Sequence, residues 1–224
     1  PKPFQNPHPP IYMACTREAT LVQAGSRGIG ALVLGFAGPE DIAKKNAVYR
    51  EHFHNRKAED QVGFRPTEHL AALCPSIVLD DREKARKIGL RGQRFFVESL
   101  AHWYQGGPKP TIDEELTADQ QAAILQQEKE AVVAYLSEEK ITIGTEHTGS
   151  YEEVQDAYGT ADDCIRYVQR LFDSGADEIL FLFQMGGVPH TAILETIRNI
   201  GEKVIPHFRA QEAARQVEIG RAHV

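Results

Sequence analysis

Apolar residues in this chain come in short unbroken runs, separated by polar stretches that carry glycine, proline or a helix-capping residue. The first run, Ile11, Tyr12, Met13, Ala14 and Cys15, follows a proline-rich lead-in (PHPP, 7–10). Five consecutive apolar positions without alternation predict a strand covered on both faces. Residues 18–27 (EATLVQAGSR) then set Leu21, Val22 and Ala24 on one side of a short helix, which Gly28 and Gly30 stop. A second buried strand follows at 31–36 (ALVLGF). Gly38 and Pro39 open the next helix, with Asp41 in its first turn and Ile42, Val48, Tyr49 and Phe53 along it. After a polar connection at 57–66, residues 69–79 (HLAALCPSIVL) read as a third strand, in which Pro75 predicts a bulge or an irregular end. Asp80 and Asp81 cap a long helix, 82–104, with an apolar stripe of Ala85, Ile88, Phe95, Leu100 and Trp103. Phe96, Trp103 and Tyr104 are read as packing residues.

The rhythm then breaks. A Gly/Pro loop (106–116), an Ala/Gln/Glu-rich helix (117–139), a short extended piece (141–145) and a loop (150–158) make an excursion of the kind that tends to lie over an active-site face. Tyr151 and Tyr158 either line a pocket there or fasten the excursion down. Thr160 caps a helix at 161–174 with Asp162 and Asp163 in its first turn, and Gly175 ends it. Residues 177–183 (DEILFLF) are the clearest strand, 184–187 a tight exit, and Pro189 starts a last helix that runs to Phe208. Strands and helices alternate throughout, and near-continuous apolar strands in that order predict a parallel α/β architecture.

Composition narrows the functional classes. With 42% hydrophobic and 25% charged residues over 224 positions the chain is an ordinary globular sequence. A net charge of -7 leaves no basic footprint, which argues against a nucleic-acid partner. Cys15, Cys74 and Cys164 are isolated and odd in number, so a reducing compartment, the cytoplasm, is expected and a structural zinc is not. No apolar run approaches the ~20 residues needed to span a bilayer, and no secretory leader is visible.

Candidate chemistry concentrates behind the first strand. Thr16, Arg17 and Thr20 bring hydroxyls, a guanidinium and unpaired amides to a helix start, an arrangement that attracts anions and phosphate above all. Residues 25–30 (GSRGIG) imitate a dinucleotide-binding turn, but that turn must leave a strand and open a helix, whereas this one leaves a helix and enters a strand. There is no nucleophile elbow, P-loop or HExxH. Asp80–Asp81, Asp162–Asp163 and Glu138–Glu139 sit at helix ends, where capping explains them. His8 and His190 are read as structural, and His52 and His54 as members of a solvated helix end.

Residues 3–14 (PFQNPHPPIYMA), the GADEIL of 175–180, and GGVPH (186–190) followed by IGEKVIPHF (200–208) resemble the C-terminal half of the bacterial luciferase-like flavin-dependent monooxygenases. The resemblance spans residues 1–209. It implies strands five to eight of a (β/α)8 TIM barrel, with the helical insertion (about 106–158) before the last strand. The first four strands and the family's catalytic histidine would then lie outside this sequence, which starts without methionine. Residues 210–224 are expected to be a tail, of which 218–224 (EIGRAHV) looks like a translated sequencing adapter.

The resemblance also implies a site. Ala14, Cys15, Thr16, Arg17 and Thr20 match the turn that holds the FMN phosphate, Gly35 and Phe36 the strand end near the flavin ring, and Phe183, Gln184 and Met185 a border of the substrate. Arg17 stands where relatives often carry serine, so Thr20 and the Arg17 backbone rank above the Arg17 side chain. No catalytic residue is assigned within the chain. The implied activity is oxygenation of a small organic substrate by O₂ and reduced FMN, the FMN being supplied by a separate flavin reductase. F420 in place of FMN, or a non-catalytic flavin-binding subunit, are the alternatives, and a homo- or heterodimer is possible for the full-length protein.

Overall fold

Four parallel strands, each leaving its sheet into a helix or a helix-bound turn, carry the fold of the computed structural model, which describes residues 3–35, 38–106, 109–110 and 158–222. In chain order the elements are β1 (Tyr12–Cys15), α1 (Glu18–Ser26), β2 (Gly30–Leu34), α2 (Pro39–His54), a 3₁₀ turn (Ala58–Asp60), β3 (Leu70–Pro75), β4 (Ile77–Val78), α3 (Arg82–Gln105), β5 (Tyr158–Gly159), α4 (Ala161–Asp173), β6 (Glu178–Leu182) and α5 (His190–Asn199). A π-helical turn (Ile200–Val204) and α6 (Ile205–Ala222) complete them. The main sheet has the order β1-β2-β3-β6, all parallel, and β4 and β5 form a second, two-stranded parallel ladder. The expected parallel α/β class is therefore present. The expected helix at 117–139, the extended piece at 141–145, Tyr151 and Phe36 lie outside the described residues.

Alternation along the strands divides the sheet into two unlike faces. Cys15, Ala31, Val33, Leu70, Ala72 and Cys74 point to the helices and are at most 1% exposed. They share a core with Leu21 and Ala24 of α1, Ile42, Tyr49 and Phe53 of α2, and Leu171 of α4. On the opposite face Tyr12 is 43% exposed and Ala14 is exposed too. The expectation that β1 is covered on both faces is thus corrected, because no described element lies over its second face. Tyr49 fastens the covered side: its buried hydroxyl shares its proton between the carbonyls of Ile29 and Thr67 and accepts the His69 N–H. Burial pushes that phenol up to about 12.

The third strand departs from the reading at 69–79 in an informative way. Pro75 has no N–H to donate, and it falls where the ladder to β2 has ended at the bond from Gly35 N–H to Leu73 O. Ser76 N–H still reaches Leu182 O of β6 (3.0 Å), and then the chain bends, so that Ile77 and Val78 pair with Tyr158 and Gly159. Val78 turns its other edge to α5. Its N–H donates to Thr196 Oγ1 (3.0 Å) and its carbonyl accepts from Asn199 Nδ2 (3.1 Å). Two residues on, Asp80 N–H donates to Glu195 and the Asp80 carboxylate takes a bond from Lys203.

The π turn behind Asn199 has a local cause. Pro206 lacks an N–H and its ring crowds the carbonyl one turn earlier, so the ladder widens just before it, and Ile205 N–H bonds to Ile200 O. Helix α3 runs as expected, but its stripe does not. Ala85 and Ile88 are buried and Phe95 and Phe96 half-buried, whereas Trp103 is 81% exposed, which corrects its reading as a packing residue. The side chains of Leu100 and Tyr104 lie outside the described ones. Tyr158 is 1% exposed and donates to Gln93 on α3, so it fastens. No helix among the described residues is long and apolar enough to cross a membrane.

Two outcomes follow. Asn199→Ala leaves the Val78 carbonyl buried without a donor and Thr196→Val leaves its N–H without an acceptor; each is expected to lower stability by about 1–3 kcal/mol in a urea titration. The Asp163 carboxylate is buried, which pushes its pKa up, but bonds from the Thr160 N–H and hydroxyl and the nearby Arg82 and Arg166 outweigh burial and hold it below the usual range. A depressed value means stabilisation that is complete above the ordinary aspartate range and is lost as pH falls through the folded-state value. Asp163→Asn should therefore lower the unfolding free energy measured by urea titration at pH 7 by about 1 kcal/mol for a weakened helix cap, and flatten its decline below pH ~4.

Candidate functional site

In open parallel sheets the ends where strands run out carry the exposed backbone groups and the loops, so sites form there. Here those ends bring together Thr16 and Arg17 after β1, Gly35 after β2, Ser76 after β3 and the exit from β6. Arg17 is the extended N-cap of α1, with φ -131° and ψ 153°. Its N–H donates to Thr20 Oγ1 (3.2 Å), and the Thr20 hydroxyl donates back to the Arg17 carbonyl (2.7 Å). The same carbonyl takes the N–H groups of Thr20 and Leu21 at 3.0 and 3.3 Å. Thr20 thus shapes the turn with its hydroxyl proton, and the Arg17 amide is occupied by it. The amides that open α1 ahead of Thr20 belong to Glu18 and Ala19, and the Arg17 side chain is exposed beside them. An anion is favoured there by the dipole and the guanidinium, while the Glu18 carboxylate in the same turn works against it.

The remaining residues assigned from sequence separate. Ala14 lies on the uncovered face of the sheet. Cys15 points the other way, 1% exposed, with its thiol against the carbonyls of Met13 and Thr20. Burial pushes that thiol up, and its contacts to Thr20 and Leu32 moderate the rise. Gly35 is buried, and a Cβ on it would stand 2.6 Å from the Leu73 carbonyl oxygen, so close approach of β3 requires glycine. Phe183 turns to the helices, stacked on Phe181 and packed with Ile200, Val204 and Phe208. Gln184 is exposed and bonds Gly186 O, and Met185 is 7% exposed in a core with Leu90 and Val188. The Met185 carbonyl lies against Gly92 of α3, where any Cβ would collide.

Sequence reading missed two polar groups near these ends. Lys45 of α2 donates to Asp41 (2.5 Å) and to the Leu34 carbonyl at the end of β2 (3.2 Å), with both side chains about one-seventh exposed or less. The i,i+4 spacing of Asp41 and Lys45 was the available cue. On α3, Arg91, Gln93 and Arg94 are 8%, 2% and 4% exposed, and Arg91 donates to the Gly187 carbonyl at the exit from β6. Arg91 falls at i+3 from buried Ile88 on the same helix face, but a pattern scored by apolar residues passes over it. Among the described residues no group of three His, Cys, Asp or Glu could hold a metal ion. His52 and His54 behave as expected of a helix end, His54 pairing with Glu68.

A cavity of about 530 Å³, lined by Arg50, Phe172, Asp177 and Phe208 among others, sits at the opposite ends of the strands, away from α1's start. Its position suits helix packing more than chemistry, since conserved reactivity of parallel sheets belongs to the other end. The candidate site is therefore the open surface at the strand ends, shaped by the Arg17–Thr20 turn, and not this cavity.

No family model matches the chain, and no curated protein matches it. Solved structures do. A monooxygenase, RslO1 from Streptomyces bottropensis, aligns over 93% of the chain with a TM-score of 0.52 at 19% identity. Apo-MsnO8 aligns over 88% with a TM-score of 0.52 at 13% identity. A coenzyme F420 dependent tetrahydromethanopterin reductase from Methanopyrus kandleri aligns over 89%, but at a TM-score of 0.48. The chain spans about half of each of these proteins, 51% in all three. At such identities the likeness concerns the fold: this chain has the mixed, parallel α/β fold of half of the RslO1 and MsnO8 chains.

Proposed function

We propose that residues 1–209 form the strand-five-to-eight half of a luciferase-like (β/α)8 barrel and contribute the phosphate end of an FMN site to a flavin-dependent monooxygenase. The observation that carries this reading is the turn at Arg17, where a helix opens toward the strand ends with its first amides and an exposed arginine at its N-cap. The uncovered face of β1 supports it, because Tyr12 and Ala14 await a covering element. The fold shared with a monooxygenase adds weight.

The residues present fit a phosphate monoester. The amides of Glu18 and Ala19 would donate to its oxygens, Arg17 would add a charge-assisted contact, and the Thr20 bonds would hold the turn in shape. Gly35 would hold the end of β2 close against Leu73 and so keep the strand end beside the ring in place. Bound reduced FMN supplies the reaction with O₂, while the protein's part is to orient it and exclude water. A small organic substrate, O₂ and a flavin reductase are the partners that this reading requires.

The phosphate is the discriminating group, so the test compares FMN with riboflavin, which lacks it. FMN is expected to bind the protein more tightly than riboflavin in a fluorescence titration. Arg17→Ala should weaken FMN by about 1 kcal/mol, roughly fivefold, and leave riboflavin unchanged. Equal binding of the two flavins, or preference for F420, would overturn the assignment.

A further inference from the structure

Residues 3–10 precede β1 and lie along the loop 61–67, and their contact centres on one imidazole. His8 Nδ1 is 2.7 Å from the Pro9 carbonyl oxygen, and His8 Nε2 is 2.9 Å from the Phe64 backbone nitrogen. A carbonyl only accepts and an amide N–H only donates, so Nδ1 carries the ring proton and Nε2 presents its lone pair. Only the neutral ring satisfies both partners. A proton added to Nε2 would point straight at the Phe64 N–H. We propose that His8 is an acid-released latch, in which the neutral imidazole fastens residues 3–10 to the 61–67 loop and the imidazolium lets them go.

The surroundings leave the ring little alternative. Gly63 passes beneath it with φ +95°, and a Cβ there would stand 3.0 Å from His8 Cε1 and 3.2 Å from Nε2. The small pocket around the ring, about 170 Å³, is walled by Gln5, Phe64, Thr67 and the prolines at 7, 9 and 10, none of which titrates. Arg65 is the charged residue on that wall. Its guanidinium cannot accept a proton. No carboxylate lines this pocket to offer the protonated ring a new partner.

Release would free the arm and not the loop. Val62 N–H donates to Arg27 O and Thr67 N–H to Gly28 O, both at 2.9 Å, so the loop is held independently at both ends. Ile11 O accepts from Gly30 N–H, which leaves the arm hinged where β1 begins. Release therefore loosens the approach to β1, a strand that among the described residues pairs only with β2.

Amide hydrogen exchange, corrected for intrinsic rate, tests this on the 224-residue chain. Protonation removes the Nε2 lone pair that the Phe64 N–H needs, so protection of the Phe64 amide should fall as the solution is acidified from pH 7 to pH 5. The amides of Val62 and Thr67 should keep theirs. His8→Gln offers a carbonyl to Phe64 and an amide N–H to Pro9 without titrating, and should hold Phe64 protected at both pH values. His8→Ala should leave it unprotected at both. A Phe64 amide indifferent to pH, acid loss that persists in His8→Gln, or loss shared equally by Val62 and Thr67 would each overturn the latch.

Discussion

Val78 gives both of its backbone polar groups to side chains of α5, and the arrangement of everything after β3 depends on that capture. A strand two residues long has little cohesion of its own, and β4 has only Tyr158 and Gly159 on its paired edge. Its other edge, left bare and buried, would carry the full cost of an unmade hydrogen bond at two atoms. Thr196 and Asn199 remove that cost and in doing so set the height of α5 against the sheet. Once α5 is placed, Glu195 and Lys203 meet Asp80 at the head of α3, and the exit from β6 is fixed between α3 and α5. Close passage is then unavoidable, which is why Gly92 faces the Met185 carbonyl and Gly89 the Tyr158 ring.

The sheet has one dry face, and its other face is open along β1. Helices α1, α2 and α4 all lie against the side chains of Cys15, Val33, Leu70 and Ala72. The other face carries Tyr12, Ala14, His69 and Glu178, where His69 bonds Glu178 and Tyr12 meets the imidazole edge-on. Nearby carboxylates and partial burial both push the Tyr12 phenol up, with burial first. A face of this mixed kind is neither a solvent face nor a core. In the proposed half barrel such a face would be completed by further chain, and the strand ends above it would hold the ligand.

Much of this was legible in the sequence because the cues were local. Thr160 followed by Asp163, Gly28 after a helix, and apolar runs bounded by turns each fix a backbone choice within a few residues, and the caps and strand positions agree with them. The glycine-rich decoy at 25–30 was also resolved locally, since α1 ends at Ser26 and β2 begins at Gly30. What escaped depends on partners far away in the chain. The apolar run through 69–79 holds two strands because Thr196 and Asn199, over a hundred residues on, capture Val78. Trp103 reads as core on a helical wheel, yet nothing described covers it. Arg91, Gln93 and Arg94 fall outside the apolar stripe, although α3 buries them. In the candidate site, residue types were legible and directions were not: Cys15 and Phe183 belong to the helical side, and only Ala14 and the Arg17 turn face the opening.

Strand β1 thus has a polar device at each end, and the two differ in kind. At its C-terminal end the Thr20 hydroxyl closes on Arg17 with one donated and one accepted bond, a pattern indifferent to pH because neither group titrates near neutrality. At its N-terminal side His8 makes an equally paired contact with a ring that does titrate. A short strand that among the described residues pairs only with β2 gains its placement from such end contacts, since that ladder is only four residues long. The consequence is an asymmetry: acid can loosen the approach to β1 while the anion-attracting turn at its far end keeps its shape.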